Sequence, residues 1–359
     1  MQKKISLCFL LTAFVLFSCK EKKNEAAVEN QASTEMEQSP KITFTNDEAN
    51  KKVVVKIDGQ PFTSYVYDGQ TPKPILYPIL TKSGKIVTRG FPFAPRPNER
   101  VDHPHHAGYW LNYGDVNGLD FWNNSYAIPA AEKHKYGTIY HQEIVAEDEA
   151  KGTLSVKAMW RSPDGTDLLE ENTEFTFSEV GDTRYIDRVT TLNALEDVSF
   201  KDNKEGMIGI RVARELELPS DKPAIYTDSE GNETTVESAN NDGVSGDYLG
   251  SEGATGESVW GTRNKWVKLE GNIADEVVSI TLIDHPKNVG YPTYWHARGY
   301  GLFAANPLGQ AIFSEGKEIL DFKLQKSESV TFRYRMMIHN GSELSKAIID
   351  GAFEDFNKN

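Results

Sequence analysis

From Lys41 onward the chain alternates. The segments "KKVVVKI", "TLSVKAMW", "NTEFTFS", "TRYIDRVTTLN" and "SVTFRYRMMIH" set apolar side chains against polar ones, many at every second position. That is the period of a strand with one covered face. "KITFT", "GTIYHQEIVAE", "GMIGIRVARELEL" and "EVVSITLID" are equally rich in β-branched and aromatic residues, and glycine, proline and asparagine punctuate the runs. One-sided strands of this kind predict antiparallel sheets. A strand-dominated region of ~320 residues predicts two large sheets packed face to face, an all-β antiparallel β-sandwich. Only the end of the chain reads as a helix. In "SELSKAIIDGAFEDF" Ser342 is the expected N-cap, and Leu344, Ala347, Ile348, Ala352 and Phe353 recur at three- and four-residue spacing.

The first forty residues break this pattern. Lys3 and Lys4 precede an apolar run from Ile5 to Phe17 that is too short for a bilayer, which needs ~20 residues, and matches a secretory signal. "LFSC" follows, and Ser18–Cys19 resembles the cleavage site of bacterial lipoproteins, with Cys19 as the point of lipid attachment. Residues 1–19 are therefore expected to be a lipoprotein signal peptide. Residues 20–40, polar and nearly free of large apolar groups, are the expected flexible tether. Residues 41–359 form the expected single domain. These features point to the cell envelope of a Gram-negative bacterium, with the membrane reached only through the lipid anchor. Within the domain, 228–258 holds eight acidic residues and no basic ones among many Gly, Ser and Asn, and is expected to be an irregular insertion or lid.

Charge and cysteine content remove whole classes of function. Lys and Arg total 39 against 53 Asp and Glu, a net charge of -14, so a nucleic-acid partner is not expected. The only cysteines are Cys8 and Cys19. The mature domain therefore lacks both a disulfide and a thiol nucleophile.

Candidate chemistry is concentrated in two loops. "DHPHHAGYWLNYGDVNGLDFW", Asp102 to Trp122, holds three histidines, three aspartates and two tryptophans, and "DHPKNVGYPTYWHARGYGLFAANP" repeats Asp-His-Pro. Together they contain five of the eight histidines. Pro104 biases His103 toward an extended conformation, and in an extended chain His105 and His106 point to opposite sides. "HPH" leaves a metal at His103 and His105 open, but no recognised ligand spacing such as HExxH occurs, so no metal and no cofactor is expected. Aromatic faces suit sugar rings, and Asp, Asn, His and Arg suit their hydroxyls.

The first stretch resembles the signature of a bacterial family catalogued as PmoA-like under the label "methane oxygenase". The resemblance continues through "GIRVARE" and "YWHARGYGLFAANPLG", covering most of residues 50–340. Where that family has an arginine after the paired histidines, this chain has Ala107. At the level of fold the chain is also similar to galactose-mutarotase-like super-sandwich proteins, which implies a large antiparallel sandwich that binds sugars.

The expected function is that of a lipid-anchored carbohydrate-active protein using histidine acid–base catalysis, as an epimerase, lyase or glycoside-cleaving enzyme. His105 or His106 would be one partner and His285 or His296 the other, with Arg211 and Arg298 stabilising developing negative charge. Asp102, Trp110, Asp115, Asn117, Asp120, Trp122, His141, Tyr294 and Trp295 would bind the carbohydrate ligand. The alternatives are a non-catalytic glycan-binding lipoprotein and a metal-dependent oxygenase, as the family label implies.

Overall fold

The period-2 pattern becomes strands wherever it occurs. Thr153–Arg161 buries Leu154, Val156, Ala158 and Trp160 in strict alternation, and Thr183–Ala194 does the same from Arg184 onward. The computed structural model describes residues 39–228 and 232–358, and Pro40–Asn359 forms one compact unit. The signal segment and all but the last residues of the tether lie outside the described residues.

Two eight-stranded sheets make up the domain. Edge to edge, the first runs Ile42–Asp47, Lys52–Ile57, Gln60–Val66, Ile75–Leu76, Tyr109–Leu111, Ile208–Arg211, Leu302–Asn306 and Tyr294–Ala297. The second runs Asp247–Gly250, Trp266–Ile273, Glu276–Asp284, Ser329–Asn340, Thr183–Ala194, Asp167–Val180, Thr153–Arg161 and Thr138–Asp148. Neighbouring strands pair antiparallel throughout both. Their inner faces share one apolar core, in which Phe44 and Phe62 of the first sheet meet Phe177 of the second at 6.1 and 5.9 Å. The expected antiparallel sandwich is the observed one.

The helix at the end is also observed, as Lys346–Phe356, although its start and face differ from expectation. Ser345, not Ser342, is the N-cap, and Ile349, Phe353 and Phe356 face inward while Ile348 is exposed. These side chains cover Trp266, Ile283 and Met337 on the outer face of the second sheet. Among the described residues no helix is long and apolar enough to cross a membrane.

The acidic segment 228–258 is less irregular than its composition predicts. Glu233–Val236 pairs with Ala224–Thr227, and Asp247–Gly250 forms the edge strand of the second sheet. Tyr248 is buried there and donates a hydrogen bond to the carbonyl of Leu302 at 3.2 Å. The composition conceals a strand because one buried aromatic is enough to dock it.

A charged group lies within the core. Glu171 accepts hydrogen bonds from Arg188, the Trp160 indole and the Thr173 hydroxyl, each at 2.8 Å. Removing one partner of a buried pair leaves the other charge uncompensated. Glu171→Ala is therefore expected to lower stability by about 3–5 kcal/mol, read as an earlier midpoint in urea unfolding.

Candidate active site

Alternation along the first sheet decides which side chains reach its outer face. Tyr109, Leu111, Ile208, Ile210, Trp295, Ala297 and Phe303 point into the shared core. Trp110, Arg211, Leu302, Ala304 and His296 therefore point outward. Cross-strand pairing sets His296 opposite Ala304, Ala304 opposite Gly209 and Gly209 opposite Trp110, a single row across four strands. Gly209 keeps that row close, since a Cβ there would lie 3.0 Å from Trp110 and 3.1 Å from Trp122 and would press on both indoles. Those two indoles pack edge to face with centroids 5.2 Å apart and form the apolar floor.

The loop carrying the histidines is fastened to this face by two fully buried arginines. Arg89 donates to the backbone carbonyls of Arg100 at 3.0 Å, Asp102 at 2.8 Å, His103 at 3.0 Å and His106 at 2.9 Å. Arg211 donates to Asp102 Oδ1 at 2.7 Å, and Arg89 reaches the same oxygen at 3.2 Å. Burial would raise the Asp102 carboxyl. Arg211, His103 and Arg89 more than offset this and hold it well below the usual carboxylate range. Asp102 is thus a permanent carboxylate. Burial and the neighbouring Arg211 push the Arg89 guanidinium down to about 9.

His103 Nδ1 lies 3.2 Å from Asp102 Oδ1. A carboxylate can only accept, so this contact favours the tautomer with the proton on Nδ1 and the lone pair on Nε2. The imidazole is 40% exposed, and its ring lies parallel to Tyr300 at 5.1 Å and to His106 at 4.9 Å. Arg211 sits 5.0 Å from the Tyr300 ring on the same face. His103 also has a φ of +47°, in the left-handed region that a non-glycine residue occupies at a cost. The extended conformation expected before Pro104 is therefore not adopted. The chain turns instead, with the His106 amide donating to the His103 carbonyl at 2.9 Å, and brings all three imidazoles into contact.

The other histidines of the cluster are held neutral. His106 is buried, and Trp122 Nε1 donates to its Nε2 while Arg211 faces its Nδ1, each at 3.3 Å. An imidazolium would direct two N–H groups at two N–H donors, so His106 cannot take up a proton in place. Burial, with the Lys73 ammonium nearby, lowers His105 to about 2. Burial, with Lys204 and Arg298 nearby, lowers His296 to about 3. Glu205 Oε2 stands 3.7 Å from His296 Nδ1, beyond hydrogen-bond reach.

The expected site residues therefore divide. Asp102, His105, His106, Arg211, Trp110, Trp122 and His296 share one face, and Asp120 joins through its field on Lys73, whose ammonium lies over Trp110 at 5.2 Å. Trp110, Trp122 and Trp295 are fully buried, so in this fold they offer no face to a ligand. His285 lies apart, on the second sheet against Phe356 of the C-terminal helix. Asp115 and Asn117 shape a turn: Asp115 accepts from the Gly118 amide, and Asn117 is tied to Asp197 and Ser199. Tyr294 stacks on Phe313, and exposed Arg298 lies over Trp260 but interacts with Tyr300. His141 lines a neighbouring cleft. Ala107 is buried in the apolar cluster around Trp110, where a guanidinium would have no room without displacing the indoles. Sequence reasoning passed over Arg89, Tyr300 and the acid–base potential of His103. Among the described residues no three His, Cys, Asp or Glu side chains are grouped to hold a metal ion.

The architecture and site define a β-sandwich protein with a polar, histidine-bearing outer face. The chain belongs to a family of unknown function, DUF6807, whose model matches residues 52–354. No curated protein matches the sequence, and the description of the matching family does not name a PmoA-like protein. Among solved structures, the galactosidase domain of an α-galactosidase–sucrose kinase is similar over 84% of this chain and 42% of its own, at 8% identity and a TM-score of 0.37. An α-galactosidase from Geobacillus stearothermophilus is similar over 84% and 41%, at 11% identity and a TM-score of 0.33. A galactose 1-epimerase from Lactobacillus acidophilus is similar over 85% and 100%, at 8% identity and a TM-score of 0.36. The chain thus spans about two fifths of the first two proteins. Likeness at this level transfers no activity.

The depressed histidines determine how stability responds to acid. In the unfolded chain each takes a proton near pH ~6.5, whereas the folded state refuses it until far lower pH. Below pH ~6.5 the unfolded state binds more protons at these histidines, so their contribution to stability falls as pH falls. Asp102 adds a further loss only below pH ~4, where its carboxylate would protonate in the unfolded chain. The melting temperature is expected to decline as pH falls from 6.5 to 5. His106→Gln should flatten that decline, and a wild-type profile level to pH 5 would contradict the assignment.

Proposed function

We propose that this protein is a carbohydrate-active enzyme in which His103 is the acid–base group. The observation that carries this reading is the Asp102–His103 pair. A permanent carboxylate stands 3.2 Å from one nitrogen of a partly exposed imidazole and orients it for proton exchange at the other. The neighbouring histidines are buried and neutral, which leaves His103 as the one in this cluster able to exchange protons with a bound molecule. Its Nε2 would take a proton from a sugar hydroxyl, or from a carbon made acidic by an adjacent carbonyl, and later return it. Polar and aromatic groups around it, Tyr300, Arg298 and Glu205, suit a polyhydroxylated ligand better than an apolar one. Epimerisation, elimination and glycoside cleavage all fit such a group.

Location belongs to the same proposal: the N-terminal stretch would tether the domain to the envelope through lipid on Cys19. Cys19→Ala should then move the protein from the membrane fraction to the soluble one. Loss of lipid labelling in the same variant checks the cause.

His103→Gln is expected to lower turnover by about 10²–10⁴-fold while leaving the melting temperature nearly unchanged, because the ring is exposed. Product formation over a panel of oligosaccharides, read by mass spectrometry, measures it. Ligand binding with full persistence in His103→Gln, and no product from either protein, would favour the non-catalytic glycan-binding alternative.

A further inference from the structure

A cleft of about 850 Å³ lies next to the dyad loop, within the ~300–1,000 Å³ range of small-molecule sites. The two regions share a wall. Lys73 lines the cleft, and its Nζ donates to the carbonyl of His105 at 2.8 Å. The loops 67–74 and 124–126 and the edge strand Thr138–Asp148 enclose it.

The lining is aromatic and braced. Tyr67, Tyr126, Tyr136 and Tyr140 all border it, and Tyr126 and Tyr140 are 60% and 47% exposed. Folding does not leave large rings in water without a cost in apolar exposure. Here His141 packs on Tyr67 at 4.0 Å and Arg161 lies 5.4 Å from the Tyr140 ring, so two of the rings are held in place before any ligand arrives. His141 has a fixed role as well. The buried Tyr65 hydroxyl stands 3.0 Å from its Nδ1, and the phenol has no other acceptor among the described residues. Tyr65 therefore donates to Nδ1, leaving His141 as the Nε2–H tautomer, a hydrogen-bond donor at the cleft. Burial lowers His141 to about 4, in keeping with a neutral ring.

Flat aromatic faces beside fixed donors recognise pyranose rings, whose C–H faces stack and whose hydroxyls accept. We propose that this cleft is a second carbohydrate site, which holds the part of an oligosaccharide extending past His103. The inference rests on the reading of His103 as the acid–base group of a carbohydrate-active enzyme.

Saturation-transfer NMR and calorimetry, with neutral and uronate-containing oligosaccharides of two to six residues as probes, test it on wild type, Tyr126→Ala, Tyr140→Ala and His103→Gln. Both tyrosines are exposed, so their truncation should not disturb folding, and equal melting temperatures check this. Binding of at least one probe is expected in the wild type. It should weaken about tenfold in each tyrosine variant, an aromatic contact of about 1.4 kcal/mol, be recovered in Tyr126→Phe, and persist in His103→Gln. No binding to any probe, or binding unchanged in both tyrosine variants, overturns the second site. Turnover retained in His103→Gln while the tyrosine variants lose affinity would sink the catalytic reading and leave the cleft standing. Turnover lost in His103→Gln with affinity unchanged in the tyrosine variants would do the reverse.

Discussion

Two guanidiniums buried side by side are the constraint around which the candidate site is arranged. Arg89 and Arg211 have no exposed surface to speak of, and Arg211 raises the cost of keeping Arg89 charged. Stability at such a place requires an anion and a dense set of acceptors. Asp102 supplies the anion, and four backbone carbonyls between Arg100 and His106 supply the acceptors. Satisfying the arginines thus dictates the path of the loop. That path includes the left-handed conformation of His103 and the turn that gathers three imidazoles. The ionisation of Asp102 and the favoured tautomer of His103 follow from the same pairings. A second buried pair, Arg100 with Glu217 at 2.8 Å, ties the start of the loop to the segment leaving the Ile208–Arg211 strand.

The sandwich makes these pairings available. Arg211 is at the end of a central strand, and the period of two turns it outward beside Trp110 and His296, which come from distant parts of the chain. The division of labour between faces is strict. The inner face is a continuous apolar core that also holds buried ion pairs at Glu171 and at Arg184–Glu179, while the outer face of the first sheet carries the histidines, arginines and indoles. Gly209 shows how tightly the two requirements meet, because at the centre of the row that carries Trp110 and His296 even a Cβ would press on two indoles.

Much of this was legible before any coordinates. Strand periodicity, the terminal helix and the density of chemistry between Asp102 and Trp122 are all local properties of the sequence. The pairings that assign roles are long-range. Arg89 lies outside both candidate loops, and although Tyr300 lies within the second, nothing local marks either residue as a partner of Asp102 and His103. Tryptophan composition misled for a related reason: an indole that stacks on a sugar and one that fills a core look alike in sequence, and Trp110, Trp122 and Trp295 fill cores. The second Asp-His-Pro shows the same ambiguity. There Asp284 accepts from the His285 and Thr293 amides and the Asn288 side chain, closing a loop in which, among the described residues, no arginine hydrogen-bonds to it. The same tripeptide builds a clamp in one place and a dyad in the other, and the difference lies in what the rest of the sheet brings to it.

Among several histidines in one cluster, burial selects the one that can work. Desolvation disfavours the charged imidazole, so His105, His106 and His296 are fixed as neutral groups, and His106 is further held by the Trp122 indole donating to its Nε2. Their contribution is shape, together with a ring surface on which His103 can rest. His103 alone combines a carboxylate on one nitrogen with solvent access for the ring. An exposed imidazole without Asp102 would tumble between tautomers, and a buried one beside Asp102 would have nothing to exchange protons with. The loop that the arginines impose meets both conditions at one residue, which is why the strained backbone at His103 is best understood as part of the site and not as a defect of the turn.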